Sequence, residues 1–438
     1  MTNNLTPSRT PPFFLFLLLA GVLLCLGACS TVGGWFDKDE TPPLEGERIS
    51  VLALQSSLTP DRGAEEEALV LPEPWRNEYW PQAGGYPNHS MQHLALNAGA
   101  LAPLWEAKIG RGEAGVIPLS AQPIVAAGMV FTLDTESRLS AFRAEDGKGL
   151  WEIDIRPAGE DDPVAGGGLS YAGGRLYATS GYNELLALEP KDGTLLWRKT
   201  LPAPAQAAPT IMEGRIFVTT IDNRLLAMEV QTGAPLWDYE GVSETAALVG
   251  AASPAAVRDV VVPAFSSGEI YALRVENGAV AWSDNLSSFR PVAGLAGLTD
   301  ISGLPVIDRD LVIAISFGGK MTAIDARTGA RVWQRDIGGA QTPWVAGDTL
   351  FVLSSENEVV ALDRASGFIR WVSPLPRYRD PEKRKDPLFW TGPLLAGGRL
   401  LMAGTNGDVV ALSPTNGDIL THWHAGSSFT VAPVVAGE

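Results

Sequence analysis

Val359-Val360-Ala361-Leu362-Asp363-Arg364-Ala365-Ser366-Gly367-Phe368-Ile369-Arg370-Trp371 is one of seven copies of a single phrase. An apolar-x-Ala-apolar stretch leads into a polar turn that a Gly closes, and a Trp follows four residues later. The other copies centre on Ala141 with Gly147 and Trp151, Ala187 with Gly193 and Trp197, and Ala227 with Gly233 and Trp237. Next come Ala272 with Gly278 and Trp282, and Ala323 with Gly329 and Trp333. The last copy, at Ala411 and Gly417, has Thr421 where the Trp is expected and Trp423 two places late. Successive glycines from Gly147 to Gly417 lie 46, 40, 45, 51, 38 and 50 residues apart. A period in the forties holding several short strands marks a β-propeller.

The residues around the quoted copy give the whole unit. Pro343–Ala346 is a strand, Gly347-Asp348 a turn, and Thr349–Leu353 a second strand; Ser355-Glu356-Asn357 then turns the chain into Val359–Leu362. The turn from Asp363 to Gly367 leads to a fourth strand, Ile369–Ser373. Four short antiparallel strands joined by polar turns make one blade. The repeated Ala suits close packing between blades. The repeated Trp offers a broad apolar face that can staple one blade to the next, with an indole N–H still to satisfy.

Both ends carry fragments of the same unit. Leu104-Trp105-Glu106-Ala107 reads as a fourth strand with its Trp, yet no first three strands precede it. Val431 to Gly437 reads as a first strand and its turn. Seven full units plus these pieces predict an all-β, eight-bladed propeller whose eighth blade is incomplete and built from both termini. Leu104–Lys108 should lie outermost in it and Thr430–Val435 innermost. Its two middle strands are missing, about fifteen residues by the measure of Asp348–Leu362. A truncated sequence is therefore expected, because a half-built blade exposes unpaired edges.

Residues 1–28 read as a targeting segment. Arg9 is their only charge, and Phe13–Leu26 is apolar apart from Gly21, too short to span a membrane comfortably. Leu26-Gly27-Ala28-Cys29 resembles a bacterial lipobox. That resemblance implies cleavage before Cys29, which then carries diacylglycerol on sulfur and an acyl chain on nitrogen, enough for stable anchoring. Ser30, where an Asp would favour the inner membrane, points to the outer membrane, with the protein facing the periplasm.

Residues 29–78 read as a lipidated tether rich in Pro, Gly and Glu, and 79–438 as the propeller. An apolar island, Gly46 to Leu52, interrupts the tether and is read as passive linker. The only other cysteine, Cys25, lies in the targeting segment, so no disulfide is available to the mature chain. Without Arg9 the mature charge is 32 − 50 = −18, which argues against nucleic acid as a partner.

From residue 79 onward the repeat resembles the PQQ-like (pyrroloquinoline-quinone-type) propeller repeat. Two branches of that superfamily compete. Trp80-Pro81-Gln82-Ala83-Gly84-Gly85 resembles the opening segment of the quinoprotein dehydrogenases. Those enzymes carry a vicinal disulfide and a Glu/Asn/Asp set for calcium, and neither is found here. The lipobox, tether and ring together resemble the BamB-type lipoproteins of the machinery that folds β-barrels into the outer membrane. This resemblance implies a scaffold with no catalytic residues, metal or cofactor. It implies as partners a BamA-like outer-membrane protein, unfolded β-barrel substrates and, through the lipid, the inner leaflet of the outer membrane.

In that family BamA binds loops between blades. A Leu-x-Leu-Arg loop aligns with Ala246-Ala247-Leu248-Val249, keeping one Leu and losing the Arg. An Asp-x-Asp loop aligns with Asp300-Ile301-Ser302 before Pro305, keeping the first Asp. Ala246, Leu248, Val249, Asp300 and Ser302 are thus the implied partner-binding residues. The alternative is a periplasmic PQQ-binding quinoprotein, or a propeller that holds a small ligand in its channel. The pairs His89/His93 and His422/His424 lack the further ligands a zinc site needs. Arg377, Arg379, Lys383, Arg384 and Lys385 form one basic island in an acidic chain, read as a solvated loop.

Overall fold

The computed structural model describes residues 58–437 apart from 64–68, 98, 115–116, 161, 206, 243–251 and 287–300. Cys29 and the island from Gly46 to Leu52 lie outside the described residues.

Apolar residues fill the strands and Gly, Asn, Asp and Ser fill the turns, so the chain folds as consecutive four-stranded antiparallel sheets. Blade 1 is Ile124–Ala126, Met129–Leu133, Arg138–Arg143 and Gly149–Asp154; blade 2 is Gly167–Ala172, Arg175–Ser180, Glu184–Leu188 and Leu195–Thr200. Blade 3 is Thr210–Met212, Arg215–Thr219, Arg224–Glu229 and Pro235–Glu240; blade 4 is Ala255–Val257, Val260–Val262, Glu269–Arg274 and Val280–Asn285. Blade 5 is Val306–Asp308, Leu311–Ile315, Met321–Asp325 and Arg331–Arg335; blade 6 is Trp344–Ala346, Thr349–Leu353, Glu358–Asp363 and Ile369–Pro374. Blade 7 is Trp390–Ala396, Arg399–Gly404, Asp408–Leu412 and Ile419–His424. First strands of neighbouring blades approach one another, so they converge on the ring axis.

The phrase that repeats in the sequence repeats in space. Each Ala sits directly opposite its Trp across the third and fourth strands, from Ala141↔Trp151 to Ala361↔Trp371, and Ala411 faces Thr421 in blade 7. On its other side the Ala faces the second strand. In blades 1, 2, 3 and 6 that neighbour is Phe131, Tyr177, Phe217 or Phe351, whose ring centroid lies 6.0 Å from the Trp. The small residue leaves room for two aromatics within one sheet, and Ala141, Ala272 and Ala361 also lie in cores shared with the following blade.

The indoles do reach across blades. Trp105, Trp151, Trp197, Trp237, Trp282, Trp333 and Trp371 donate Nε1–H to Ala144, Pro190, Gln231, Val275, Ala326, Arg364 and Pro414 carbonyls of the following blade, at 2.8–3.1 Å. Each indole lies on the turn Gly of that blade, Gly147 through Gly417. Those glycines have φ between 66° and 78°, and a Cβ there would fall within 3.0 Å of a neighbouring side chain, so the turn demands Gly twice over.

The structure corrects the blade count: among the described residues there are seven four-stranded blades, not eight. The terminal pieces, expected as the outermost and innermost strands of that blade, form no sheet. Trp105 staples blade 1 from outside. The segment Val431–Val435 lies between blades 7 and 1, where Thr391 Oγ1 bonds to Val431 O, Gln122 Nε2 to Ala432 O and Asn77 Nδ2 to Val435 O. Among the described residues neither piece has a neighbouring strand along its length, so side chains take the place of a ladder.

Part of the segment read as tether lies on the ring. Asp61 N donates to Ile369 O. The Asp61 carboxylate accepts from Ile369 N and pairs with Arg335 at 2.9 Å. Leu58 packs on the core of blades 5 and 6, and Leu69 and Leu71 on that of blades 6 and 7.

Candidate functional site: the two ends of the ring

Strands alternate in direction, so each blade has two distinct ends. One carries the turns between first and second and between third and fourth strands. The other carries the turns between second and third strands and the connections to the next blade.

At the first end the chain before blade 1 makes a full circuit. Trp80 exchanges backbone hydrogen bonds with Val125 of blade 1, and Pro81 O accepts from Tyr171 N of blade 2. Gln82 brackets Ile211 of blade 3, donating from Nε2 to its carbonyl at 3.0 Å and accepting its N–H at 2.8 Å. Pro87 O accepts from Ala256 N of blade 4, and Asn88 O from Ile307 N of blade 5. Gln92 O takes the indole N–H of Trp344 in blade 6, and Leu94 N donates to Leu395 O in blade 7. This hoop meets the seven blades in order. It satisfies first-strand groups that would otherwise face the axis unpaired.

Three hoop side chains, Trp80, Met91 and Leu94, are essentially fully buried. Gly85, at φ 94°, passes so close to Met91 that a Cβ would collide with it. Ser90 and Gln92 bond to Asp308, which also pairs with buried Arg364 at 2.7 Å. The segment was legible only as a resemblance at Trp80–Gly85. Its amides, Gln82, Asn88 and Gln92, carry no spacing that names their partners.

His89 and His93 belong to the hoop. His89 is buried and its Nδ1 lies 2.7 Å from Pro305 O; since a carbonyl only accepts, Nδ1 carries the proton. Burial lowers its pKa to about 4, against a smaller opposing effect of the Pro305 bond. His93 bonds Pro72 O through Nδ1 and accepts Gly398 N–H at Nε2. Each ring is thus engaged with backbone. Beneath the hoop an axial cavity of about 60 Å³ is lined by Trp80, His89, Gln122, Gln341, Thr342 and Trp344 among others, with no carboxylate. Small-molecule sites usually measure 300–1,000 Å³. The cavity fits neither a three-ring quinone nor the calcium ion that would accompany it. Among the described residues no three His, Cys, Asp or Glu side chains converge to hold a metal.

The opposite end carries the connections. After each fourth strand the chain bonds back to its own second-to-third turn, as in Leu201 N to Asn183 O, Gly241 N to Asn223 O and Leu286 N to Gly268 O. The roots of connections 243–251 and 287–300 therefore share this end and flank blade 4. Ala246, Leu248, Val249 and Asp300 lie outside the described residues. Ser302 is half-buried beside fully buried Ile301, and its shielded hydroxyl has no partner among the described residues. Tyr239 and Tyr271 meet here with centroids 4.9 Å apart. Burial, then hydrogen bonding with Tyr239 and Glu269, raises the Tyr271 pKa, so its hydroxyl stays a donor.

The basic island shares this end, as the hairpin Tyr378–Asp380 and Lys385–Pro387. Arg377 pairs with Glu356 and Lys383 with Asp380, leaving it mixed in charge. His422 and His424 sit on the exposed outer strand of blade 7, both bonded to Asp408.

Residues 91–172 and 137–373 match the family model described as outer membrane protein assembly factor BamB. The chain belongs to the BamB family. It is 30% identical over 341 residues to BamB of Salmonella typhimurium, covering 76% of this chain and 84% of that one. The crystal structure of BamB from Moraxella catarrhalis superposes with a TM-score of 0.59 at 20% identity, covering 72% of this chain and 89% of that one. A quinohemoprotein alcohol dehydrogenase from Pseudomonas putida HK5 superposes at 0.61 with 15% identity, covering 83% and 75%. Both superpositions speak to the propeller alone. This BamB-family ring shares its architecture with the dehydrogenases, while its sequence kinship is with the assembly factors.

Proposed function

We propose that this chain is a non-catalytic scaffold of the outer-membrane β-barrel assembly machinery. It is anchored through lipid on Cys29, faces the periplasm, and binds a BamA-like partner through the connections flanking blade 4. The observation that carries the reading is the family match, which runs from the hoop to the last strand of blade 6. The axial cavity, too small and without carboxylates, supports a scaffold over the quinoprotein alternative. A rigid ring presenting loops at one end suits recruitment, because binding residues concentrate on loops held by a stable frame. Leu248 supplies an apolar anchor and Asp300 a charge for a partner cation.

Recovery of the lipidated protein from outer membranes tests this directly. A BamA-like partner should co-purify. Leu248→Asp combined with Asp300→Arg should reduce its recovery at least tenfold with the thermal melt unchanged. Cys29→Ala should release the protein from the membrane fraction. Purification free of such a partner, or a quinone absorbance band with dye reduction after reconstitution, would overturn the scaffold reading.

A further inference from the structure

We infer that Val242 is a pre-organised contact for the polypeptide partner, and that Glu269 and Asn223 are positioning residues that hold it ready. This rests on the proposed binding at the connection end and adds to it a contact among the described residues. Val242 is 58% exposed, an aliphatic side chain offered to solvent on the partner face. Exposed aliphatics are common and carry little by themselves. What sets this one apart is its backbone, which is fixed from both sides by side chains of two different blades.

Its N–H donates to Glu269 Oε2 of blade 4 at 3.0 Å, and its carbonyl accepts from Asn223 Nδ2 of blade 3 at 2.7 Å. Both clamps are themselves held. Glu269 also accepts from Ser267 Oγ at 3.0 Å and from Tyr271 OH at 2.9 Å, so three donors converge on one carboxylate. Asn223 is buried, its own carbonyl accepts Gly241 N–H, and its Oδ1 accepts from Ser266 N and Oγ. Every polar group of Asn223 that faces this corner is thus committed to holding the chain at 241–242. Gly241 lies against the Phe265 ring, leaving no room for a side chain there. Fixing a contact before encounter removes ordering cost from association.

The test measures binding rates of the full chain, lipidated in detergent, to the immobilised periplasmic region of the BamA-like partner. Loss of pre-organisation lowers the competent fraction, so Glu269→Gln should slow association about tenfold and leave dissociation unchanged. Asn223→Ser should do the same, with faster amide exchange at Val242 and native exchange in the strands of blades 3 and 4. Val242→Asp should instead speed dissociation at least tenfold. Native rates for Val242→Asp and Glu269→Gln would overturn the inference. Leu248→Asp in the same assay then separates the causes. If it binds poorly, the face is right and Val242 is no contact; if it too binds like the native chain, the connection end is not the interface.

Discussion

The ring is tied together twice, by devices that could hardly differ more. Outside, six tryptophans each fasten one pair of neighbouring blades with one indole bond and one glycine turn, and Trp105 fastens the segment before blade 1 in the same way. Inside, a single hoop from Trp80 to Leu94 touches all seven blades through a mixture of backbone and side-chain bonds. The outer belt is modular: each staple repeats a local solution and its failure stays local. The hoop is global, because every first strand leans on the same short stretch of chain. Repetition gives tolerance, whereas a single thread gives coupling.

The largest expected effect comes from breaking the thread. Trp80→Ala removes a fully buried indole and its bond to Gln122, and should cost about 4 kcal/mol by denaturant titration. Amide exchange should quicken in first strands all round the ring. Trp237→Ala, by contrast, should disturb blades 3 and 4 alone; exchange spreading round the ring from that change would erase the distinction between belt and hoop.

Acid should reach the hoop before the belt. Folded His89 resists protonation down to pH about 4, while the unfolded imidazole titrates near 6.5. The unfolded state therefore binds more protons in that window. The contribution is complete above pH 6.5 and is lost as pH falls towards 4, about 3 kcal/mol in all. Stability curves of the native chain and His89→Gln should converge by that amount between pH 7 and 4. Parallel curves would mean that His89 is not a buried neutral imidazole.

The smallest effect belongs to one staple's bond. Trp237→Phe keeps an aromatic face on Gly278 but loses the 3.0 Å bond to Val275 O, and should cost about 1 kcal/mol. A cost near that of Trp80→Ala would make the belt as cooperative as the hoop.

The same contrast explains what the sequence could say. Seven copies of Ala and Gly at fixed offsets, six of them with the Trp in place, named the blades, and blade 6 runs within a residue of its expected boundaries. Copies can be aligned with one another, so chance is averaged away. The hoop occurs once. Gln82 bonds to Ile211 across 129 positions, and no local pattern announces such a pairing. The blade count failed for a related reason. Trp105 and Val431–Val435 carry the repeat's letters, but a strand is made by its neighbours as much as by its residues. At the connection end, Asn223 lies in a turn and Glu269 opens a strand, and neither belongs to the repeated phrase. Only their placement beside Val242 shows what they hold.

The hoop's order of contacts has a consequence for how the molecule is made. Residues 75–97 precede every blade in the chain, and the blades follow in the sequence in which the hoop meets them. Each newly finished blade can dock on the next free stretch of a thread already waiting. The final latches are Leu94 to Leu395, in the first strand of blade 7, and Asn77 to Gly437, in the segment that follows that blade. Chain order and ring order therefore coincide, so blades that fold in chain order would close the hoop contacts one after another, like a zipper with a single direction.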